Sequence, residues 1–242
     1  MIADFRLALG FLTRIPVSLP DDLPPNALAR SMRLFPLVGA LIGAAIGAVY
    51  LLAAKVLPGL PAALLAVGFG LLLTGALHED GLADCADGFG GGRDKDGKLA
   101  IMRDSRIGAY GTLALILSVG LRAAALTKLH NPAGALIAAH ALSRAALPGL
   151  MVALLPASPT GLAAGAGRPT ERDYLIASFL AVLIAAPLGL HWLVGALMAD
   201  ALIFIGMKYL ARRQIGGYSG DVLGALQQGI EIAILLTLAA LP

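Results

Sequence analysis

Three aspartates, Asp80, Asp84 and Asp87, are spaced so that a helix would carry all of them on one face. At about 100° per residue they fall near 0°, 40° and −20°, a single narrow stripe. Like charges that close repel unless something positive sits among them. Carboxylates without His or Cys pairs are hard oxygen ligands, which favour Mg²⁺, with Mn²⁺ as the substitute, over zinc. Asp104 adds a fourth carboxylate further along the same stretch.

The stripe belongs to a segment whose charge density is out of keeping with the chain. Residues 79–106 hold 12 of the 33 charged side chains, acids first and bases after. Gly88, Gly90, Gly91 and Gly92 punctuate the switch and are expected to end the helix, leaving backbone N–H groups free to approach phosphate. Arg93, Lys95 and Lys98 follow, and Lys98–Ser105 reads as a short helix with Arg103 and Arg106 three residues apart. A solvated loop is the plain alternative. The ordering of acids, glycines and bases favours a divalent-metal phosphate site instead. Cys85 lies off the stripe and reads as a packing residue. Glu79 is expected to face water, and His78 to bond at the interface.

A second polar island, Gly216–Asp221 (GGYSGD), has two compatible readings. Asp221 could cap a helix that begins there. Equally, the loop with Gly217 could contact phosphate or hydroxyl groups at the same surface. Arg122, Arg144, Asp200 and Glu231 fall inside apolar runs, where charges are expensive. Two of each sign point to ion pairing between helices, with His140 and Arg144 sharing a face at i, i+4.

The elements that must position these residues are membrane helices. Charged residues are 14% of the 242, against about 25% in an average soluble domain. Mean hydropathy is +0.84. A soluble domain and a disordered chain are both excluded, and one cysteine cannot form an internal disulfide. Apolar runs long enough to span lie near 34–54, 61–77, 107–129, 132–155 and 222–241. The run at 174–199 is extended to two helices, near 174–188 and 191–207, by a break at Pro187–Gly189. With that break, fourteen of the 18 basic residues share one side, which the positive-inside rule makes cytoplasmic. The expected fold is an all-α polytopic transmembrane bundle of about seven spans, with six to eight as the range. Residues 1–242 form one integral membrane domain, and 79–106 form the cytoplasmic active-site loop between spans two and three. Phe5, Leu9 and Leu12 mark an N-terminal interfacial helix. No signal peptide and no internal repeat is evident.

FLTRIPV (Phe11–Val17), FPLVG (Phe35–Gly39), HEDGLADCADG (His78–Gly88), IMRDSRIGAYG (Ile101–Gly111) and GGYSGDVLGA (Gly216–Ala225) together resemble the cobalamin synthase family, adenosylcobinamide-GDP ribazoletransferase. The motifs keep the family's order and span nearly the whole chain, and the central pair is the most specific. The resemblance implies a Mg²⁺-dependent enzyme of the bacterial inner membrane. Its substrates would be adenosylcobinamide-GDP and α-ribazole or α-ribazole 5′-phosphate, and its products adenosylcobalamin, or its 5′-phosphate, and GMP. The partners to expect are those substrates, the lipid bilayer and other cobalamin-assembly enzymes, with no nucleic acid. Asp80, Asp84, Asp87 and Asp104 stand at the family's acidic positions, so they are the expected catalytic and metal-binding residues. Asp104 or Asp80 is the expected proton acceptor. Arg93, Arg103, Ser105, Arg106, Gly217 and Asp221 are the expected substrate contacts.

Other classes fit less well. A CDP-alcohol phosphotransferase would carry an Ala-Arg pair between its two acidic segments and a second acid four residues after Asp104, and neither stands there. A prenyltransferase would need an acidic pair where Asp221 stands alone. A transporter would show a counterpart to the Pro187 break in the first half.

Overall fold

The computed structural model describes residues 1–19, 23–159 and 165–241. Helix α1 is Ile2–Leu12 and α2 is Ala27–Ser31, which runs through a 3₁₀ turn into α3, Phe35–Ala53. Then come α4 (Gly59–Thr74), α5 (Leu77–Gly91), α6 (Lys95–Met102), α7 (Ala109–Leu126) and α8 (Pro132–Ala153). The series closes with α9 (Glu171–Ala185), α10 (Leu190–Ile215) and α11 (Gly220–Ala240). No strand forms among the described residues; Pro156 and Tyr218 make an isolated parallel bridge.

Helices stand at all seven places where apolar runs predict them. Five stretches are long and apolar enough to cross a bilayer singly: Ala27–Ala53, α7, α8, α10 and α11. The pair α4 and α5, bent by 93° between them, makes a sixth only when the two are counted as one broken span and not as a re-entrant loop. Helix α9 is shorter, because its 15 residues rise only about 22 Å against a hydrocarbon core of about 30 Å. The break before α10 is the expected one. Pro187 lies in a 3₁₀ turn, and Gly189 takes a φ of 93° that a side chain would disfavour.

Local chemistry sets the ends. Asn131 accepts from the Gly134 N–H ahead of α8, Thr170 and Asp173 form a capping box at α9, and Ser219 accepts from the Val222 N–H at α11. Helix α8 is the buried axis, with 89% of its apolar window inside the protein. Gly39, Gly43 and Gly47 line the face of α3 against it. A methyl at Gly39 or Gly43 would meet the backbone carbonyl of His140 or Leu136, so the two helices cross at backbone distance. Helix α1 is fastened by its buried Asp4, which accepts from Arg30 at 2.9 Å and Arg33 at 2.6 Å. Burial would raise this carboxyl, but the two guanidinium hydrogen bonds outweigh it and hold it below its ordinary value.

Candidate active site

Helix α5 meets α11 through two glycines. A methyl on Gly81 would come within 3.0 Å of the Asp221 Cα, and one on Gly224 within 2.9 Å of the His78 carbonyl. This close crossing brings the first turn of α11 level with Gly81. Asp221 therefore joins the aspartates of α5. Asp80 is exposed, while Asp84 and Asp221 are half-buried. Partial burial, then the charges of Asp80, Asp221 and Asp87, push the Asp84 carboxyl up to about 6. A carboxylate face built from two helices, Asp80 and Asp84 with Asp221, is the centre of the site.

The other two predicted acids are committed elsewhere. Asp87 is buried, and its oxygens accept from the Gly108 N–H at 2.7 Å and the Gly111 N–H at 2.9 Å. It caps α7 from a neighbouring helix, and a methyl on either glycine would strike its carboxylate. Asp104 accepts from Arg106, at 2.6 Å from Nη2, at 3.1 Å from Nε and at 3.1 Å from the backbone N–H. Those bonds hold the Asp104 carboxyl below its ordinary value. Among the described residues, no three Asp, Glu, His or Cys side chains stand close enough to chelate one ion in this conformation.

The basic residues gather at the same end. Arg93, Arg103, Ser105 and Arg106 are exposed. Arg103 donates to the Ser158 hydroxyl at 3.0 Å, and its charge reaches Asp221. Ser219 donates to an Asp221 oxygen at 3.2 Å. Gly217 is buried against the Leu155 carbonyl, where no side chain fits. Its loop is pinned by the Tyr218 N–H to the Leu155 carbonyl at 3.0 Å and the Ala157 N–H to the Tyr218 carbonyl at 2.8 Å.

Two local expectations change. Helix α5 runs through the glycine series to Gly91 instead of stopping at Gly88, and the Gly92 N–H bonds to the Gly88 carbonyl. The glycines make room: Gly88 for Met102, Gly90 for Tyr110 and Gly92 for Lys98. The short helix expected at Lys98–Ser105 begins three residues earlier, because Asp94 caps it by accepting from the Gly97 N–H at 2.8 Å. Cys85 is buried, as its place off the stripe predicts.

Glu79 differs most from its expected place in water. Its side chain is buried and accepts from Arg122 at 2.9 Å and Gln228 at 3.0 Å. Arg122 also bonds Glu231 at 3.2 Å, which is the ion pairing expected between spans. His78 is buried too. Arg144 lies against His140, whereas the Asp200 Oδ1 has no hydrogen-bond partner among the described residues and borders an apolar cavity of about 320 Å³.

Residues 4–239 match the profile of the family described as Cobalamin-5-phosphate synthase. The "Adenosylcobinamide-GDP ribazoletransferase" of Bradyrhizobium diazoefficiens is 47% identical over 246 residues, covering 99% of this chain and 94% of the relative. Proteins of the same name are 44% identical in Mesorhizobium japonicum, over 98% of this chain and 92% of the relative, and 47% identical in Azorhizobium caulinodans, over 98% and 95%. No solved structure matches.

Proposed function

The chain belongs to the cobalamin-5-phosphate synthase family, a transferase of cobalamin biosynthesis that joins adenosylcobinamide-GDP to α-ribazole, and we propose that Asp80, Asp84 and Asp221 run this reaction with Mg²⁺. The observation that carries the reading is the arrival of Asp221 beside Asp80 and Asp84 through the Gly81–Gly224 crossing. Three like charges, two of them half-buried, are a standing repulsion that a divalent cation relieves. Mg²⁺ binds through one or two carboxylates, with substrate phosphates and water completing its shell. A pair from this face is therefore enough, and the commitments of Asp87 and Asp104 do not stand in the way. When bound, the ion would supply charge neutralisation at a diphosphate.

The chain's own residues do the rest. The ribose hydroxyl of α-ribazole, or of its 5′-phosphate, attacks the phosphorus next to cobinamide. A new P–O bond forms, the bridging P–O bond of the diphosphate breaks, and GMP leaves. Asp80, the exposed member of the face, accepts the hydroxyl proton. Arg103, level with Asp221, neutralises the departing phosphate, and Arg93 and Arg106 supply further positive charge at the rim. Asp104 restrains Arg106 until phosphate competes for it. Asp87 holds the Gly108–Gly111 turn, and with it the Asp104–Arg106 loop, against α5. Such phosphotransfer depends mainly on positioning and charge.

We place the enzyme in the bacterial inner membrane with this face towards the cytoplasm, on the strength of the one-sided basic residues. Purified protein in detergent, given adenosylcobinamide-GDP and α-ribazole, should release GMP only with Mg²⁺ or Mn²⁺. An Asp84→Asn protein that keeps full metal-dependent GMP release would sink the assignment.

A further inference from the structure

Below the carboxylate face, the bundle holds a second polar cluster that the proposed reaction does not use. Glu79 of α5, Arg122 of α7, His140 and Arg144 of α8, and Gln228 and Glu231 of α11 line one cavity, with about 10 Å³ open to the centre of a water molecule. Four of the five buried polar atoms without a partner among the described residues belong to this lining. They are Glu79 Oε2, Arg122 Nη2, His140 Nε2 and Arg144 Nε. Each of these residues is at least nine-tenths buried. Buried polar atoms are rarely left unpaired, because an unpaired one forfeits its hydration with nothing in exchange.

Donor chemistry narrows what fits. A guanidinium can only donate, so Arg144 Nη1, 2.8 Å from His140 Nδ1, makes that nitrogen the acceptor, a shorter contact than the 3.4 Å between the same nitrogen and Glu231 Oε2. The neutral ring then carries its proton on Nε2. Three of the orphan atoms are therefore donors, and Glu79 Oε2 is the acceptor. Charge decides between water and an ion. Two arginines and two glutamates balance, and any ion added at this depth would leave an unpaired charge in the bundle. A water accepts two hydrogen bonds and donates two, and the space is about the minimum that holds one, roughly 10–15 Å³.

We propose that one ordered water occupies this cavity, accepting from two of these three donors and donating to Glu79. Through it and Arg122, Glu79 is a positioning residue that fixes the rotation of α5. Glu79 precedes Asp80, and about 100° of helix separates them. While Glu79 is bonded to Arg122 at 2.9 Å and Gln228 at 3.0 Å, α5 cannot turn, and Asp80 and Asp84 stay beside Asp221. The positioning role rests on the metal reading of the carboxylate face.

Two measurements test it. In a structure resolved finely enough to show waters, density should lie within hydrogen-bond distance of Glu79 Oε2 and at least one of the three donors. An empty cavity, or an anomalous bromide peak after soaking, overturns the water. Separately, the Mg²⁺ concentration for half-maximal GMP release should rise about tenfold in Glu79→Ala at unchanged KM for adenosylcobinamide-GDP. Glu79→Gln, which keeps an acceptor, should recover most of that shift. If Glu79→Ala does not fold, the Glu79→Gln and Ser118→Ala proteins carry the test. Ser118 donates to Gln228 at 2.8 Å, so Ser118→Ala should raise the Mg²⁺ requirement about twofold. An unchanged Mg²⁺ requirement in Glu79→Ala, or in Ser118→Ala where Glu79→Ala does not fold, overturns the positioning role. An active Asp84→Asn protein would instead overturn the metal reading beneath it.

Discussion

Glu79 and Asp80 are neighbours in sequence, and they serve opposite regions. Asp80 faces water with Asp84 and Asp221, where like charges crowd and no base is bonded to them. Glu79 turns into the bundle, where Arg122 bridges it to Glu231 and a ring of amide and hydroxyl groups completes the set. The outer cluster is unsatisfied and open to ligand; the inner one is balanced and closed. Acids alone do not distinguish a catalytic face from a structural one. Whether the compensating charge comes from the chain or must arrive from solution does.

The contrast can be broken from either side. Replacing Arg122 with Met should have the largest effect, because two glutamates are left buried without their shared cation. A loss of about 3–5 kcal/mol is expected from breaking a buried pair. It would be read as a fall in thermal unfolding temperature in detergent, and an unchanged temperature would mean that the inner cluster is not structural. Asp221→Asn should then cut GMP release at least ~100-fold while the protein stays folded, since charge neutralisation by an ion is worth several kcal/mol and each 1.36 kcal/mol is tenfold. Next is Asp87→Ala, which removes the cap on α7. A destabilisation of about 0.5–2 kcal/mol should appear in the melt, with early proteolysis between Arg103 and Tyr110.

The smallest effect carries the opposite sign. In EDTA at neutral pH, Asp84→Asn should melt higher than the parent. The folded-state carboxyl titrates at about 6, above its ordinary value of 3.8, so its ionised form opposes folding. That penalty is absent below the unfolded value and complete above the folded one. The gain should therefore shrink as pH falls from 7 towards 4. Discounted for the screening of a half-exposed group, it is on the order of 1 kcal/mol, about 2–4 °C at this length. Equal melting temperatures at both pH values would show that the outer carboxylates do not crowd one another.

Much of this was legible before folding. Apolar runs located seven of the helices, and Pro187 with Gly189 located the break, because both follow from local chemistry. The i, i+4 pair Asp80 and Asp84 reads correctly as one face. Asp87 shares that face by angle, but the turn at Gly108 and Gly111 claims it, and nothing local announces that. Periodicity gives the direction of a side chain and not what waits there. The glycines from Gly88 to Gly92 misled for a related reason. Glycine marks both a loop and a close helix contact, and only the neighbours Met102, Tyr110 and Lys98 separate the two. Glu79 was hidden in the same way, since its partners lie on α7 and α11.

The Gly81–Gly224 crossing also has a consequence for biosynthesis. Asp80 and Asp84 leave the ribosome early, whereas Asp221 belongs to α11, made after α1–α10. Until α11 inserts and docks on α5, the nascent chain carries two α5 aspartates without Asp221 beside them. On the proposed assignment of Asp221, catalytic competence would switch on with insertion of α11, and a ribosome stalled before it would leave a membrane-inserted but silent protein.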